Sequence, residues 1–356
     1  VVRARRAKAG GAGTEPVPAL DLEAHRPDGF SEGAILRVLA VPAEAAGRRL
    51  DVFVTSQLKR TSRTRAQVII ESGAYHADGR RLRPNDRVRE GDRILLWREP
   101  FEEPGELPPL NVLYEDEHLL VIDKPPLVAV HPTARYHHHT VIKRLRVARP
   151  DEFVALVHRI DRETSGILLV ARSLDSERAF KRMLEDRTLR GATAGHVGKT
   201  YLAITRGVPE GSRVDLPLEL DVENSLRVKM RVAAPGSGLA ATTGIEVTGV
   251  RSGYALVRCE LHTGRQHQIR VHLAALGCPI VGDKLYGADE RLLARAADGE
   301  LTDADRELLE LPRHALHAHR YALTHPLTGA PLDLVSPLPR DLQEFWDALP
   351  SSPGPS

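Results

Sequence analysis

The chain has 356 residues, 42% of them hydrophobic and 28% charged, with a net charge of +2 at neutral pH. That balance fits a soluble protein of one large domain plus a small one, or two of medium size, and its longest apolar runs fall far short of a membrane span. Two cysteines, Cys259 and Cys278, exclude a disulfide framework and lack the C-x-x-C spacing of a zinc site, so they are expected to be buried thiols in a reducing compartment, the cytoplasm.

Residues 1–35 are rich in Ala, Gly, Pro and Arg without periodicity and are expected to form a disordered basic arm. Its arginines lack the apolar stretch of a signal peptide. A compact module follows over 36–99. Leu50, Phe53, Val54 and Leu58 recur at helical spacing, and Ala66, Val68, Ile69 and Ile70 make a second short helix that Gly73 ends. Asp78-Gly79 and Gly91-Asp92 mark turns between short strands. Between the helices, Arg60, Arg63 and Arg65 are spaced to project from one edge. From Gly47 to Glu99, thirteen Lys and Arg stand against seven Asp and Glu, a local charge of +6. Phosphate binding needs such an excess, because each neutralised phosphate releases a condensed counterion; from charge alone a solvated basic surface is equally well supported. The acidic, proline-punctuated stretch 100–109 reads as a linker.

From Leu110 to residue 345 strands alternate with helices, and 346–356 are expected to form a tail. "HLLVIDKP" is a strand closed by Lys124-Pro125. "ILLVA", residues 167–171, is a buried strand, preceded directly by "HRIDRETSG", which sets an acid between two arginines. "SERAFKRMLEDR" is a helix with Ala179, Phe180, Met183 and Leu184 on one face, capped by Ser173 or Asp175. "KTYLAITRG", "GIEVTGV" and "YALVRCEL" are further strands. "TGRQHQIRVHLAALG" reads as a helix opened by a capping box, Thr263 with Gln266, and closed by Gly277. Residues 288–312 form a charged, helical surface insertion.

Several motifs are misleading. "GHVGKT" lacks the glycine a phosphate-binding loop requires at position 193, which is Thr193, and runs into a strand where that loop needs a helix. "HRID" is not the H-R-D of a kinase, and no D-F-G accompanies it. His137 to His139, with His131 nearby, lack a carboxylate or thiol to complete a metal set, and His314, His317 and His319 are read the same way; solvated loops are favoured and no metal is expected. What remains is Arg159 and Asp161 before a core strand, Tyr201 in a strand, and Arg265 and Arg270 on a helix. Each has an ordinary alternative: a surface ion pair for Asp161, a satisfied core phenol for Tyr201, a flanking position for Arg270.

With "LYEDEHLLVIDKP…VHP", "HRIDRETSGILLVARS", "KTYLAI", "LHTGRQHQIRVHLAALGCPIVGDKLYG" and "LHAHRYALTHP" in this order, the chain resembles the RluA-type pseudouridine synthases over most of residues 47–340. The front module resembles the S4-type RNA-binding domain through "SRTRAQVIIESG…DG…GDRI". Pro126-Leu127 stands where the family has a small residue and glycine, and the 288–312 insertion is not general to it. The resemblance implies an α+β protein: a pseudouridine synthase fold, with a mixed, mostly antiparallel central sheet flanked by helices, behind a small α+β S4-like domain. It implies isomerisation of uridine without a cofactor, the partner being RNA, more often that of the large ribosomal subunit with transfer RNA as the alternative, and the protein a monomer. Asp161 matches the family's catalytic aspartate, Arg270 the arginine paired with it, and Tyr201 the aromatic that stacks on uracil. Arg159 matches the residue that fills the space left by the flipped base. Arg265, His267 and Ile269 are expected to contact substrate, and Arg60, Arg63 and Arg65 to contact RNA phosphates. Ile160 and Ile167 are expected to serve packing, and Arg162 to support the loop. The rivals are an RNA-binding assembly factor that has lost turnover, and a hydrolase, for which no second carboxylate is identifiable.

Overall fold

The computed structural model describes residues 26–31, 34–58, 63–99, 107–132, 136, 139–190, 197–224 and 228–351. Most of the expected arm, Arg60, most of the linker, and His137 and His138 lie outside the described residues. Two compact units divide the chain, Val1–Pro100 and Phe101–Ser356.

In the first unit β1 (Ile35–Ala40), α1 (Leu50–Gln57), α2 (Arg63–Gly73), β2 (Ala74–His76) and β3 (Arg93–Arg98) follow one another. The strands form an antiparallel sheet in the order β1-β3-β2. Leu50, Phe53, Val54, Ala66 and Ile70 pack beneath it with Ile94 and Leu96, the amphipathic stripe expected of helices laid on a sheet. The second helix holds Ala66, Val68, Ile69 and Ile70 and ends at Gly73 as expected, and one expectation changes, the place of Arg63 and Arg65. Val68 is 60% exposed, because the buried stripe of α2 runs through Ala66 and Ile70, one turn apart. Arg63 and Arg65 belong to the first turn of α2 rather than to a connection, and Arg63 Nε donates to the buried Asp51 carboxylate at 3.0 Å.

The second unit contains β4 (Asn111–Glu115), β5 (Leu119–Lys124), α3 (Val141–Ala148), β6 (Ala155–Leu156), β7 (Ser165–Ala171), α4 (Leu174–Arg190), β8 (Gly198–Arg206), β9 (Arg213–Asp215), β10 (Leu218–Leu220) and β11 (Met230–Val232). After these come β12 (Thr242–Arg251), β13 (Tyr254–Leu261), α5 (Gln268–Ala275), α6 (Leu292–Asp298), α7 (Asp303–Leu309), β14 (Leu316–Thr324), β15 (Pro331–Val335) and α8 (Arg340–Ala348). Ten strands make one sheet in the order β4-β5-β7-β14-β8-β13-β12-β9, with β6 also on β7 and β15 also on β14. The β7–β14 pair is parallel. Every other pairing among the described strands is antiparallel.

Strand β7 is buried at all seven positions because both faces of the sheet are covered. Ile167, Leu169 and Ala171 face the main core with Phe180 of α4. Leu168 and Val170 face a second layer with Val141, Ile142 and Leu145 of α3. The start of α4 is capped by Ser173, whose hydroxyl accepts from the Ser176 N–H at 3.1 Å. Trp346 of α8 also packs into the main core, although it lies in the stretch expected to be a tail.

The expected capping box of α5 does not form. The helix starts at Gln268, and His267 before it takes a left-handed backbone, φ 56°. Gln268 explains the difference: its Oε1 accepts from the Thr263 hydroxyl at 2.7 Å and the Arg265 N–H at 3.0 Å, so Thr263 is committed to a loop that precedes the helix. His314 and His317 are 2% and 1% exposed. They are buried residues at and beside β14 rather than parts of a solvated loop, since hydroxyls of the β7 entry reach them.

Candidate active site

A cavity of about 440 Å³ opens in the second unit, in the size range of small-molecule sites. Its lining comes from five places: Ala129–His131 after β5, the loop Arg159–Thr164 that leads into β7, Tyr201 on β8, the run from Leu261 through Arg270, and Leu316 at the start of β14. Asp161 keeps 35% of its side-chain surface, and it borders this cavity.

The loop carrying Asp161 is held from behind. The Thr164 N–H donates to the Asp161 carbonyl at 3.2 Å. The Thr164 hydroxyl meets His314 Nε2 at 2.7 Å, and the Ser165 hydroxyl meets His317 Nδ1 at 3.0 Å. Glu163 is fixed by Lys284 at 2.8 Å and by the His314 N–H at 3.1 Å. The ammonium of Lys124, fully buried, donates to the carbonyls of Pro125, Val128 and Arg162 at 2.7, 3.1 and 3.1 Å. Burial pushes the Lys124 pKa well below its ordinary value. Arg162 lies over the Tyr136 ring at 4.7 Å.

Arg270, on the first turn of α5, donates from Nη1 to Asp161 Oδ2 at 2.9 Å. Its Nε and Nη2 donate to Asp283 at 2.7 and 2.8 Å. Burial would raise the Asp161 pKa, but the Arg270 charge more than offsets it and the carboxyl is lowered to about 2. Asp161 is therefore ionised throughout the physiological range. Arg270 is likewise penalised by burial, yet Asp283 and then Asp161 hold it charged.

Across the cavity, Tyr201 is 7% exposed and its hydroxyl lies 3.2 Å from that of Tyr321. Tyr321 stacks on His158 with ring centroids 5.3 Å apart. His267 Nε2 lies 3.8 Å from Asp161 Oδ1. Its Nδ1 lies 2.8 Å from the Tyr286 hydroxyl, which also accepts from the Met230 N–H at 2.8 Å. Burial raises the Tyr286 pKa, so the phenol keeps its proton; as its oxygen already accepts from the Met230 N–H, we assign that proton to the hydrogen bond with Nδ1. Burial lowers the His267 pKa to about 4, so the ring is neutral and carries its one proton on Nε2, facing Asp161.

The sequence profile of the RNA pseudouridylate synthases matches residues 118–275, and that of the S4 domain matches 48–94. The ribosomal large subunit pseudouridine synthase D of Xanthomonas campestris is 36% identical over 323 residues, 88% of this chain and 92% of that protein. The chain belongs to the RNA pseudouridylate synthase family. The synthase D of Pseudomonas aeruginosa is 35% identical over 86% of this chain and 93% of its own length, and the ribosomal large subunit pseudouridine synthase C of Salmonella typhi 32% identical over 90% and 99%. Among solved structures, human RNA pseudouridylate synthase domain containing 4 superposes with a TM-score of 0.50 at 29% identity, covering 66% of this chain and 91% of that one. As a pseudouridine synthase the protein is an isomerase, and its mixed sheet behind an S4 domain is the architecture expected from the resemblance.

In this pseudouridine synthase Asp161, Tyr201, Arg270, Arg159, Arg265, His267 and Ile269 all border the one cavity. Arg159 is exposed at its rim, Arg265 Nε donates to the Ala240 carbonyl at 3.0 Å, and Ile269 also packs in the main core. Asp283, Tyr286, Tyr321, His314 and Lys124 were not singled out as site residues by sequence. Asp283 and Tyr286 lie in "GDKLYG", Tyr321 in "LHAHRYALTHP" and Lys124 in "LYEDEHLLVIDKP", all within family blocks, so each had a signal; His314 lies outside them. No helix among the described residues is long and apolar enough to cross a membrane, and no cluster of three or more metal-ligating side chains occurs among them.

Proposed function

We propose that the protein converts uridines of large-subunit ribosomal RNA to pseudouridine, as a cytoplasmic monomer, with Asp161 as the carboxylate that meets C1′ of the target. The observation that carries this is the ionised Asp161, paired with Arg270 at 2.9 Å, in a cavity walled by Tyr201. The names of the relatives support the RNA class; the family resemblance supports a monomer.

A uridine within a duplex cannot reach Asp161, so it is flipped out at a cost of a few kcal/mol. Arg159, exposed at the rim, fills the gap it leaves. The Tyr201 ring holds the base by its face, a contact worth roughly 1–3 kcal/mol that permits rotation in the plane. The C1′–N1 bond breaks with its electron pair on the uracil, and Asp161 balances the positive charge at C1′ as a covalent adduct or an ion pair. The base turns, C5 bonds to C1′, C5 gives up its proton and N1 gains one. No atom is added or lost. The His267 Nε2–H is placed to donate to an oxygen of the base or ribose, Ile269 packs against the base and Arg265 steadies the adjoining strand. In the first unit Arg60, Arg63 and Arg65 supply phosphate contacts that tolerate any sequence; Arg63 must share or release Asp51 to do so.

Purified protein is incubated with unmodified ribosomal and transfer RNA transcripts and pseudouridine is assayed in each. Product in large-subunit RNA, lost in D161N while RNA binding persists, is expected. Product only in transfer RNA would correct the substrate. No product in any RNA, or substantial turnover by D161N, would overturn the mechanism.

A further inference from the structure

Arg270 serves two carboxylates, and they are not used alike. Asp283 has a fully buried side chain and takes the two-pronged face of the guanidinium, Oδ2 from Nε at 2.7 Å and Oδ1 from Nη2 at 2.8 Å. Its Oδ1 also accepts the N–H groups of Leu285 at 2.9 Å and Tyr286 at 3.0 Å, so it is anchored to the backbone and cannot turn away. The Tyr286 ring closes one face of the guanidinium, 5.0 Å from its carbon. With Nε and Nη2 committed, the planar group has a single direction left for Nη1, which reaches Asp161 Oδ2 at 2.9 Å. Asp161 Oδ1 accepts no hydrogen bond from any described residue, and His267 Nε2 is 3.8 Å away.

An arginine facing one carboxylate prefers the paired, fork-to-fork arrangement that occupies both oxygens. Such a pair is neutral and engages both oxygens. Here the fork is spent elsewhere. Asp161, Arg270 and Asp283 together carry one net negative charge, and the open oxygen borders the cavity.

We infer that Asp283 is a positioning residue for the isomerisation: it occupies the fork of Arg270, so that Arg270 orients Asp161 through one nitrogen and leaves Oδ1 to the substrate. This rests on the role proposed for Asp161 and says which of its oxygens reacts. Without the Asp283 charge, the guanidinium is free to swing and clasp both Asp161 oxygens.

The test compares wild type, D161N, D283N, R270A and the D283N/R270A double variant on a ribosomal transcript that the wild type modifies. Misplacing a reacting group by about 1 Å costs roughly 10²-fold in rate, so D283N is expected to lose about that much kcat with KM changed by no more than about twofold. Because Asp283 acts through Arg270, the double variant should be no slower than R270A. A merely structural role would lower the melting temperature but leave kcat of the folded fraction intact. A D283N loss in kcat under about tenfold, or single losses that multiply in the double variant, would overturn the inference. If D283N does not fold, R270K decides: a lysine has one head, stays with the buried Asp283 and abandons Asp161, so near wild-type turnover refutes bridging and a loss of about 10²-fold supports it. Active D161N would sink the proposed function along with this inference; inactive D161N beside fully active D283N would sink the inference alone.

Discussion

Gly166 lies five residues beyond Asp161, with φ +103°, and a Cβ added there would sit 2.3 Å from the Ala318 carbonyl oxygen and 2.8 Å from His317 Cε1. Those neighbours belong to β14, where Ala318 pairs with Gly166 in the parallel joint of the sheet. G166A therefore meets two costs at once: a positive φ for a residue with a Cβ, about 1–2 kcal/mol, and overpacking against backbone that cannot rotate away, about 1–3 kcal/mol. Together these come to roughly 2–5 kcal/mol, which at about 2–4 °C per kcal/mol lowers the melting temperature by roughly 4–20 °C. The thermal unfolding of G166A is followed by circular dichroism beside G329A, whose glycine also has a positive φ, +74°, but has nothing within 4 Å of the added Cβ. G329A should show the dihedral cost alone. Turnover of G166A at 25 °C should also fall, because Thr164 and Ser165, which tie the Asp161 loop to His314 and His317, move with the joint. A G166A melting temperature no lower than that of G329A would refute the reasoning.

Three other outcomes follow from the buried groups. Burial lowers His158 to about 3 and His267, His314 and His317 to about 4, whereas the unfolded chain titrates near 6.5. Between those values the unfolded state binds more protons, so stability is complete above pH 6.5 and declines as pH falls from 6.5 towards 4; calorimetry at pH 7.5 and 5.0 checks it, and an equal or higher melting temperature at pH 5.0 contradicts it. K124M keeps the apolar stem but strands the carbonyls of Pro125, Val128 and Arg162, so urea unfolding should show a loss of about 2–5 kcal/mol, and an unchanged midpoint would exclude this. Y286F removes the donor that fixes the His267 proton on Nε2; steady-state kinetics should show reduced turnover with about 1 kcal/mol of stability lost, and unaltered kinetics would refute the tautomer assigned here.

Local pattern identified the elements whose packing is local in origin. The apolar run of β7, the stripe of α1 through Leu50, Phe53 and Val54, and the Ser173 cap each depend on neighbours a few positions away. Strand β1 was hidden at the edge of a low-complexity stretch, and the start of α5 was misplaced because the Gln268 side chain, rather than Gln266, captures Thr263. Family blocks brought out Asp161, Tyr201 and Arg270, which are far apart in sequence and border one cavity in space. The supporting shell was harder to see, because a buried charge is tolerated only through partners that the fold supplies. Lys124 needs the Arg162 carbonyl, and Glu163 needs both Lys284 and the region of His314. No periodicity records such pairings, so His314 and His317 looked like solvent-facing residues until β14 was placed.

The late strand β14 lies between β7 and β8, the strands that follow Asp161 and carry Tyr201. During synthesis, the strand that follows Asp161 and the strand that carries Tyr201 are therefore complete more than a hundred residues before the strip that joins them, and loop closure across that span is entropically costly. A chain that stops before Leu316 has every side chain of the Asp161, Arg270 and Tyr201 set yet lacks the strand that pairs with both β7 and β8.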